Sequence, residues 1–187
     1  MRLAACLAGS LLLALSGEGS VSGERCPIEL TFVHYPVAGL TLEQIKQSMR
    51  ANGPVEPDGT RRYARTDWKI QWIWDKTDVG VDPSTVRIVC KATVTLPEHD
   101  SPQTMSQAEL GRWTEYRARL KMHELNHVRH VEVVAPKISR EIGRQSAQQG
   151  QLSARAAQKI AKEVIREIHG LDRSYDRSTR HGATEGI

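Results

Sequence analysis

The stretch that decides the fold is residues 106–134, SQAELGRWTEYRARLKMHELNHVRHVEVV. Its apolar and aromatic side chains recur at spacings of three and four, which is the period of an amphipathic α-helix. Ser106 and Glu109, three residues apart, form a capping box at the start of this pattern. Pro136 ends or kinks it just after residue 134. We therefore predict one long helix in the back half of the chain.

Strand patterns precede this helix. Residues 28–35 form a β-branched and aromatic run that we expect to end at Pro36. Residues 68–74 alternate apolar and polar side chains, as a half-buried strand does. Residues 86–96 form a second long strand pattern that we expect to end at Pro97. These runs predict a small N-terminal sheet, antiparallel or mixed.

Helical patterns account for most of the remaining chain. A capping box opens a short helix over residues 41–49, and two more helices are predicted at 137–147 and 153–169. Gly170 has the position of a C-cap, and residues 171–187 then form an irregular, charged tail. The fold class predicted is α+β, in which the small sheet packs against the long helix and the further C-terminal helices.

The first 23 residues have the composition of a signal peptide. Arg2 precedes an uncharged apolar run from Leu3 to Leu15, and small residues follow it. This run is too short to span a bilayer, which takes about 20 apolar residues. We therefore expect a periplasmic or secreted protein in which residues 24–187 form a single domain without a transmembrane segment. Lipoprotein anchoring is disfavoured because Cys6 lies ahead of most of the apolar run.

Removal of such a leader leaves Cys26 and Cys90, which we expect to form a disulfide in an oxidising compartment. The formal net charge of +4 is compatible with anionic partners such as cell-wall polymers or lipid headgroups, although a solvated basic surface is the favoured interpretation. Arg61, Arg62 and Arg65 form a small basic cluster, for which a solvated edge is the favoured interpretation over steering of an anionic substrate. We expect no nucleic-acid partner, because aromatic residues are few and no basic helix stands out.

The predicted long helix contains an HExxH motif, His123-Glu124-Leu125-Asn126-His127. Residues four apart on a helix are neighbours on one face, so both imidazoles can reach one zinc ion. Glu124 lies about 100° around the helix from His123, where its carboxylate can act as a general base on water. We therefore predict a Zn²⁺ cofactor held by His123 and His127, with Glu124 as a catalytic residue.

A third ligand is expected from a later element. His130 is a poor choice, because its Cα lies about 10 Å along the axis from that of His123. We select His181, since Gly182 beside it permits close approach to another backbone. Tyr175 is a candidate donor to the oxyanion formed on an attacked carbonyl. The alternative ligands are Glu141, Glu163, Glu167, His169 and Asp172.

Four segments carry a resemblance to a known family. They are Gly53-Pro54 with residues 62–68 (RYARTDW), the strand end Thr95-Leu96-Pro97, the helix from Trp113 to His130, and Tyr175-Asp176 with Thr179 and His181-Gly182. In these the chain resembles the bacterial family of predicted secreted zinc-dependent proteases, which is catalogued as a domain of unknown function. The resemblance implies export, a zincin-like fold and metalloprotease activity, and its C-terminal His-Gly favours His181 as the third ligand.

The function predicted from the sequence is an exported, zinc-dependent hydrolase, specifically a metallopeptidase that acts on a peptide or protein substrate. Two alternatives remain open. One is a non-catalytic exported binding or scaffold protein with a structural metal site. The other is a zinc amidase that acts on cell-wall peptides, which the basic charge of the chain makes conceivable.

Overall fold

The computed structural model describes residues 25–187, so the predicted signal peptide, residues 1–23, lies outside the described residues. The described chain contains five strands and four α-helices, joined by turns and short 3₁₀ segments. In chain order these are β1 (Ile28–Val37), α1 (Leu42–Asn52), β2 (Arg65–Ile73), β3 (Lys76–Thr77), β4 (Gly80–Val81), β5 (Arg87–His99), α2 (Gln107–Val134), α3 (Lys137–Gln149) and α4 (Ala154–Thr179).

Three of the strands form a mixed sheet in the order β1-β5-β2. β1 runs parallel to β5, and β2 runs antiparallel to it, so that Ala92 of β5 pairs with Leu30 on one side and Trp68 on the other. β3 and β4 form a separate two-stranded ribbon. Ala92, Val94 and Leu96 alternate along β5 and are buried, in a core that includes residues of α2. The predicted α+β fold with a small N-terminal sheet is therefore confirmed.

The long predicted helix is α2, and its sequence explains both its start and its buried face. The Ser106 hydroxyl accepts a hydrogen bond from the Glu109 backbone N–H, as the capping box requires. The Glu109 carboxylate accepts a hydrogen bond from the Leu42 N–H at 2.9 Å, so it also caps the start of α1. The residues buried along α2 are Trp113, Tyr116, Leu120, His123, Glu124, His127, Val128 and Val131.

Two hydrophobic clusters form the core. One lies among α1, the sheet and the first part of α2, and it includes Ile45, Met49, Val94 and Trp113. The other lies among β5, the end of α2, α3 and α4, and it contains the predicted disulfide between Cys26 and Cys90. Within residues 25–187, no helix is both long and apolar enough to cross a membrane.

The strand ends differ from the sequence prediction. β1 continues through Pro36 to Val37, and β5 continues through Pro97 to His99. Proline lacks an N–H and is tolerated where one side of a strand is unpaired. β1 is an edge strand, and β2 pairs with β5 only as far as Thr95, so each proline lies in a stretch with one neighbour.

The largest correction concerns the C-terminal segment. α4 does not end at Gly170 but continues to Thr179, so most of the predicted irregular tail is helical. The buried apolar stripe of α4 ends with Val164 and Ile168. One and two turns later the same face carries Asp172, Tyr175 and Asp176, which hydrogen-bond to polar groups of α2. The hydrophobic period therefore disappears although the helix continues.

Candidate metal centre

The two histidines of the HExxH motif lie on the buried face of α2. His123 is 6% exposed and His127 is 8% exposed. Their ring centroids are 5.2 Å apart, as expected for side chains one helical turn apart on the same face. The predicted pairing of these two imidazoles is therefore present in the fold.

α4 brings a carboxylate to both rings. Oδ1 of Asp176 lies 3.4 Å from Nε2 of His123 and 3.2 Å from Nε2 of His127. Ligand atoms held about 2.0 to 2.1 Å from a tetrahedral zinc ion lie about 3.3 Å from one another. Two imidazole nitrogens and one carboxylate oxygen form a donor set that suits zinc. The residues present therefore fit a metal ion bound by His123, His127 and Asp176.

The other nitrogen of each ring faces a different carboxylate. His123 Nδ1 lies 2.7 Å from Glu185 Oε2, and His127 Nδ1 lies 3.0 Å from Asp172 Oδ1. A carboxylate at Nδ1 accepts a hydrogen bond from the Nδ1–H, so that a neutral ring has its Nε2 lone pair facing Asp176. This arrangement is found around metal-binding histidines, where it sets the tautomer and the ring orientation.

Asp172 also accepts hydrogen bonds from two further side chains. His130 Nδ1 is 2.7 Å from its Oδ1, and Trp68 Nε1 donates to its Oδ2 at 3.0 Å. His127, His130 and Asp172 form a second group of potential ligands. Their separations from Asp172 Oδ1, 2.7 and 3.0 Å, match hydrogen bonds better than the edges of a metal polyhedron. We therefore interpret this group as a hydrogen-bonded cluster that orients the His127 ring, and not as a second metal site.

Glu124 is 6% exposed and lies next to the proposed ligands in the same cavity. The Thr66 hydroxyl of β2 lies 2.7 Å from Glu124 Oε2 and 3.1 Å from the Glu124 carbonyl oxygen. Burial raises the pKa of the Glu124 carboxyl, although the hydrogen bond from Thr66 opposes this effect. A carboxylate with a raised pKa accepts a proton more readily than an exposed glutamate does.

Tyr175, the predicted oxyanion donor, lies inside the site, but both of its hydroxyl hydrogen bonds are made within the protein. The hydroxyl donates to Glu185 Oε1 at 2.7 Å and accepts from Asn126 Nδ2 at 2.7 Å. Its ring stacks on that of His123 at a centroid distance of 4.8 Å. Burial, together with the nearby Glu185 carboxylate, raises the pKa of Tyr175 to about 12.

The predicted third ligand, His181, lies at the edge of the cleft. Its side chain is 56% exposed, and its Nδ1 is 3.9 Å from Asp176 Oδ2. It does not belong to the group of converging donor atoms, in which the structure has Asp176 instead. Among the alternatives, Glu141, Glu163 and Glu167 form ion pairs with Arg or Lys side chains, and the His169 ring packs at a tilt against Trp68. Asp172 contacts the site through His127 Nδ1.

Sequence reasoning missed Thr66, Asn126, Asp176 and Glu185. Three of these fall within segments quoted above for their motifs, but nothing in the local pattern assigned them a role. Asp176 follows Tyr175 in a stretch that we predicted to be irregular. Helical spacing from Ile168 would have placed Asp172 and Asp176 on the buried face of α4, had the helix been extended past Gly170.

A cavity of about 760 Å³ opens over these residues. Its floor includes His123, Glu124, His127 and Asp176, and the loop between α1 and β2, residues 53–64, supplies much of its wall. Arg180, His181 and Ala183, which follow α4, also line it. The candidate centre is therefore accessible to a molecule larger than water.

Fold and site together define an α+β protein with a histidine and carboxylate cluster between two long helices, at the base of a cleft. The chain belongs to the bacterial family of proteins of unknown function (DUF922), whose family model matches residues 32–182. The match contains Thr66, the HExxH motif and the α4 residues Asp172, Tyr175 and Asp176, but it ends before Glu185. No curated protein matches the chain, and no solved structure matches it.

Proposed function

We propose that this protein is an exported zinc-dependent hydrolase that cleaves peptide bonds. The observation that carries the proposal is the convergence of Asp176 Oδ1 on the Nε2 atoms of His123 and His127 at 3.4 and 3.2 Å, with the Glu124 carboxylate beside them. In this proposal Asp176 replaces His181 as the third ligand. The Cys26–Cys90 disulfide is consistent with export to an oxidising compartment.

Zinc supplies Lewis acidity, which polarises a substrate carbonyl and makes water acidic enough to lose a proton near neutral pH. His123, His127 and Asp176 would hold the ion from two helices whose packing is set by the core. Asp172 and Glu185 orient the two imidazoles through their Nδ1 atoms. The ligands are thereby arranged before the ion binds, which lowers the cost of ordering them.

Glu124 is the general base in this proposal. Its carboxylate accepts the proton of the attacking water and later donates it to the leaving amine. The Thr66 hydroxyl, 2.7 Å from Glu124 Oε2, holds the carboxylate in one orientation. Tyr175 could donate to an oxyanion only if its hydroxyl first broke its hydrogen bond to Glu185 Oε1. We therefore propose that Tyr175 is a positioning residue, which holds His123 through ring stacking and Glu185 through this hydrogen bond.

The proposal is tested by elemental analysis of the purified protein and its variants. We expect one zinc ion per chain in the wild type, its loss in His123→Ala and Asp176→Ala, and its retention in His181→Ala. The last variant is the matched control, because His181 lies in the same cleft but outside the converging donor atoms. Absence of metal from the wild type after reconstitution with zinc would overturn the proposal.

The second part of the test separates catalysis from a structural metal site. Glu124→Gln should keep the zinc and lower turnover about 10² to 10⁴-fold, the usual contribution of a general base. A digest of casein beside a digest of peptidoglycan distinguishes a peptidase from a cell-wall amidase. A zinc-loaded wild type that cleaves neither substrate, with Glu124→Gln harmless in the cell, would instead support the non-catalytic scaffold.

A further inference from the structure

The wall of the cleft is rich in arginine. Five arginines line the cavity above the metal centre, whereas only two of its acidic lining residues, Glu56 and Asp58, lie outside that centre. The other acidic residues of the lining, Glu124, Asp172 and Asp176, are directed toward Thr66 and the histidines. The five arginines are Arg50, Arg61, Arg62, Arg65 and Arg180.

Three of these arginines already have partners. Arg50 pairs with Glu43 at 3.4 Å, and Arg61 donates from Nη1 to the Gly53 carbonyl at 2.8 Å. Arg65 donates from Nη1 to the Val55 carbonyl at 2.8 Å, and it also pairs with a carboxylate of β2. The contacts of Arg61 and Arg65 brace the loop over residues 53–64, whereas the Arg50 pair lies within α1.

Arg62 and Arg180 differ from the other three. Between residues 25 and 187, neither guanidinium forms a hydrogen bond or an ion pair. Hydrogen bonds from Thr60 and, more weakly, the charge of Arg62 lower the pKa of Asp58, yet Asp58 accepts its hydrogen bond from the Thr60 N–H. The backbone beside each guanidinium is held, since the Arg62 N–H donates to the Pro54 carbonyl and the Arg180 N–H to the Arg177 carbonyl.

We propose that Arg62 and Arg180 bind a carboxylate of the substrate and thereby select acidic peptides for the cleft. This inference rests on the peptidase activity proposed above. A guanidinium presents parallel N–H groups that match the two oxygens of a carboxylate, and two unpaired guanidinium groups in one cleft favour such a ligand over a neutral one. The carboxylate belongs either to an aspartate or glutamate side chain or to the C-terminus of the peptide.

The test profiles cleavage of a tryptic peptide library from a bacterial proteome by the zinc-loaded protein, with mass spectrometry of the products. We expect aspartate or glutamate to be enriched near the cleavage sites. A second library, amidated only at its C-termini, distinguishes the two sources of carboxylate, because amidation removes the terminal carboxylate and leaves the acidic side chains. Arg62→Gln and Arg180→Gln should each lower kcat/KM for an acidic peptide about tenfold more than kcat/KM for its glutamine counterpart.

Arg155→Gln is the matched control. Arg155 is exposed at the start of α4, about 37 Å along the helix from Arg180 at 1.5 Å per residue. Equal cleavage of acidic and neutral peptides by the wild type, or an equal loss in Arg155→Gln, would overturn the inference while leaving the peptidase intact.

A binding measurement makes the inference independent of turnover. Fluorescence anisotropy with a labelled Ala-Glu repeat peptide and its Ala-Gln counterpart is measured on Glu124→Gln, with and without the two arginine substitutions. We expect the acidic peptide to bind more tightly, and the preference to weaken with added salt and to vanish in the arginine variants. If the preference holds but no library peptide is cleaved, the carboxylate site stands and the proposed peptidase fails. If the preference is absent, the inference fails.

Discussion

Asp172 supports the candidate centre from outside the group of converging donor atoms. It accepts hydrogen bonds from His127, His130 and Trp68, so that one carboxylate links α4 to both α2 and β2. Burial raises the pKa of Asp172, but the hydrogen bonds outweigh burial and hold it below its usual value. The carboxylate therefore stays charged, which makes it a strong acceptor for the His127 N–H.

Asp172→Asn should weaken zinc binding about 10 to 100-fold, the usual effect of removing an outer partner of a ligating histidine. The amide accepts less strongly than the carboxylate and no longer sets the His127 tautomer. Competition with a chromophoric chelator measures the dissociation constant. Asp67→Asn is the control, because Asp67 is exposed on β2 and pairs with Arg65. Equal affinities for Asp172→Asn and the wild type would exclude the positioning role.

His127 connects proton binding to metal binding. Burial lowers the pKa of His127, but its hydrogen bonds to Asp172 and Asp176 outweigh burial and raise it to about 10. In the metal-free protein both nitrogens of this ring are therefore protonated at neutral pH. A ligating imidazole must be neutral, so zinc has to displace one of these protons.

We expect zinc binding at pH 7.5 to release about one proton or more. Titration calorimetry in two buffers of different ionisation enthalpy measures the number, and His181→Ala, which keeps the three ligands, provides the comparison. Affinity should also rise between pH 6 and pH 9, because fewer protons then compete for the ring. An observed heat that is independent of the buffer would contradict this prediction.

At the scale of the element, the buried face of α4 changes from apolar to acidic along the helix. Its first part buries Ala157, Ile160 and Val164 in the hydrophobic core, and its last two turns carry the carboxylates of the candidate centre. The helix ends at Thr179, after which Arg180 adopts a left-handed conformation and Gly182 has φ of 85°. A single rigid element thus places the acidic residues relative to the core.

Gly170→Ala should stabilise the protein by about 0.5 to 1 kcal/mol, since it removes backbone freedom from the unfolded chain at a helical position. A Cβ at Gly170 meets no atom within 4 Å, so there is room for the methyl group. Urea unfolding measures the effect. Gly182→Ala is the contrasting variant, expected to destabilise because of its positive φ. Destabilisation by Gly170→Ala would indicate that the helix does not continue through residue 170.

At the scale of the whole molecule, the disulfide joins the start of the described chain to the central strand. Cys26 precedes β1, Cys90 lies in β5, and the Cys26 N–H donates to the Glu132 carbonyl of α2 at 2.9 Å. Both sulfur atoms are buried in the cluster that also packs α3 and α4. The bond therefore fixes the segment before β1 on β5, inside the cluster against which α3 and α4 pack.

Replacement of both cysteines by alanine should lower the free energy of unfolding by about 4 kcal/mol, the loop-entropy value for a separation of 64 residues. Urea unfolding of the double variant measures the loss, and the oxidised and reduced wild type provide a second comparison. The free energy of zinc binding should change much less than the free energy of unfolding, because neither cysteine touches the candidate centre. Unchanged stability in the double variant would show that the bond does not constrain the unfolded chain.

The amino-acid sequence by itself determined the features that depend on neighbours along the chain. The spacing of His123 and His127 sets them on one face of a helix wherever that helix packs, and capping at Ser106 starts it independently of the sheet. The alternation of apolar and polar residues in β2 and the β-branched run in β5 likewise predicted these strands. The order of strands and helices along the chain then predicted the α+β class.

Only the tertiary structure decided which distant groups meet those histidines. The selection of Asp176 requires α4 to pack against α2 and to continue past Gly170, where its pattern is polar. Thr66 and Glu185 reach Glu124 and His123 from β2 and from the turn after α4, which lie 58 and 62 residues away in sequence. Such contacts come from the packing of the whole core, because no local period or turn signal encodes the distance between two segments remote in sequence.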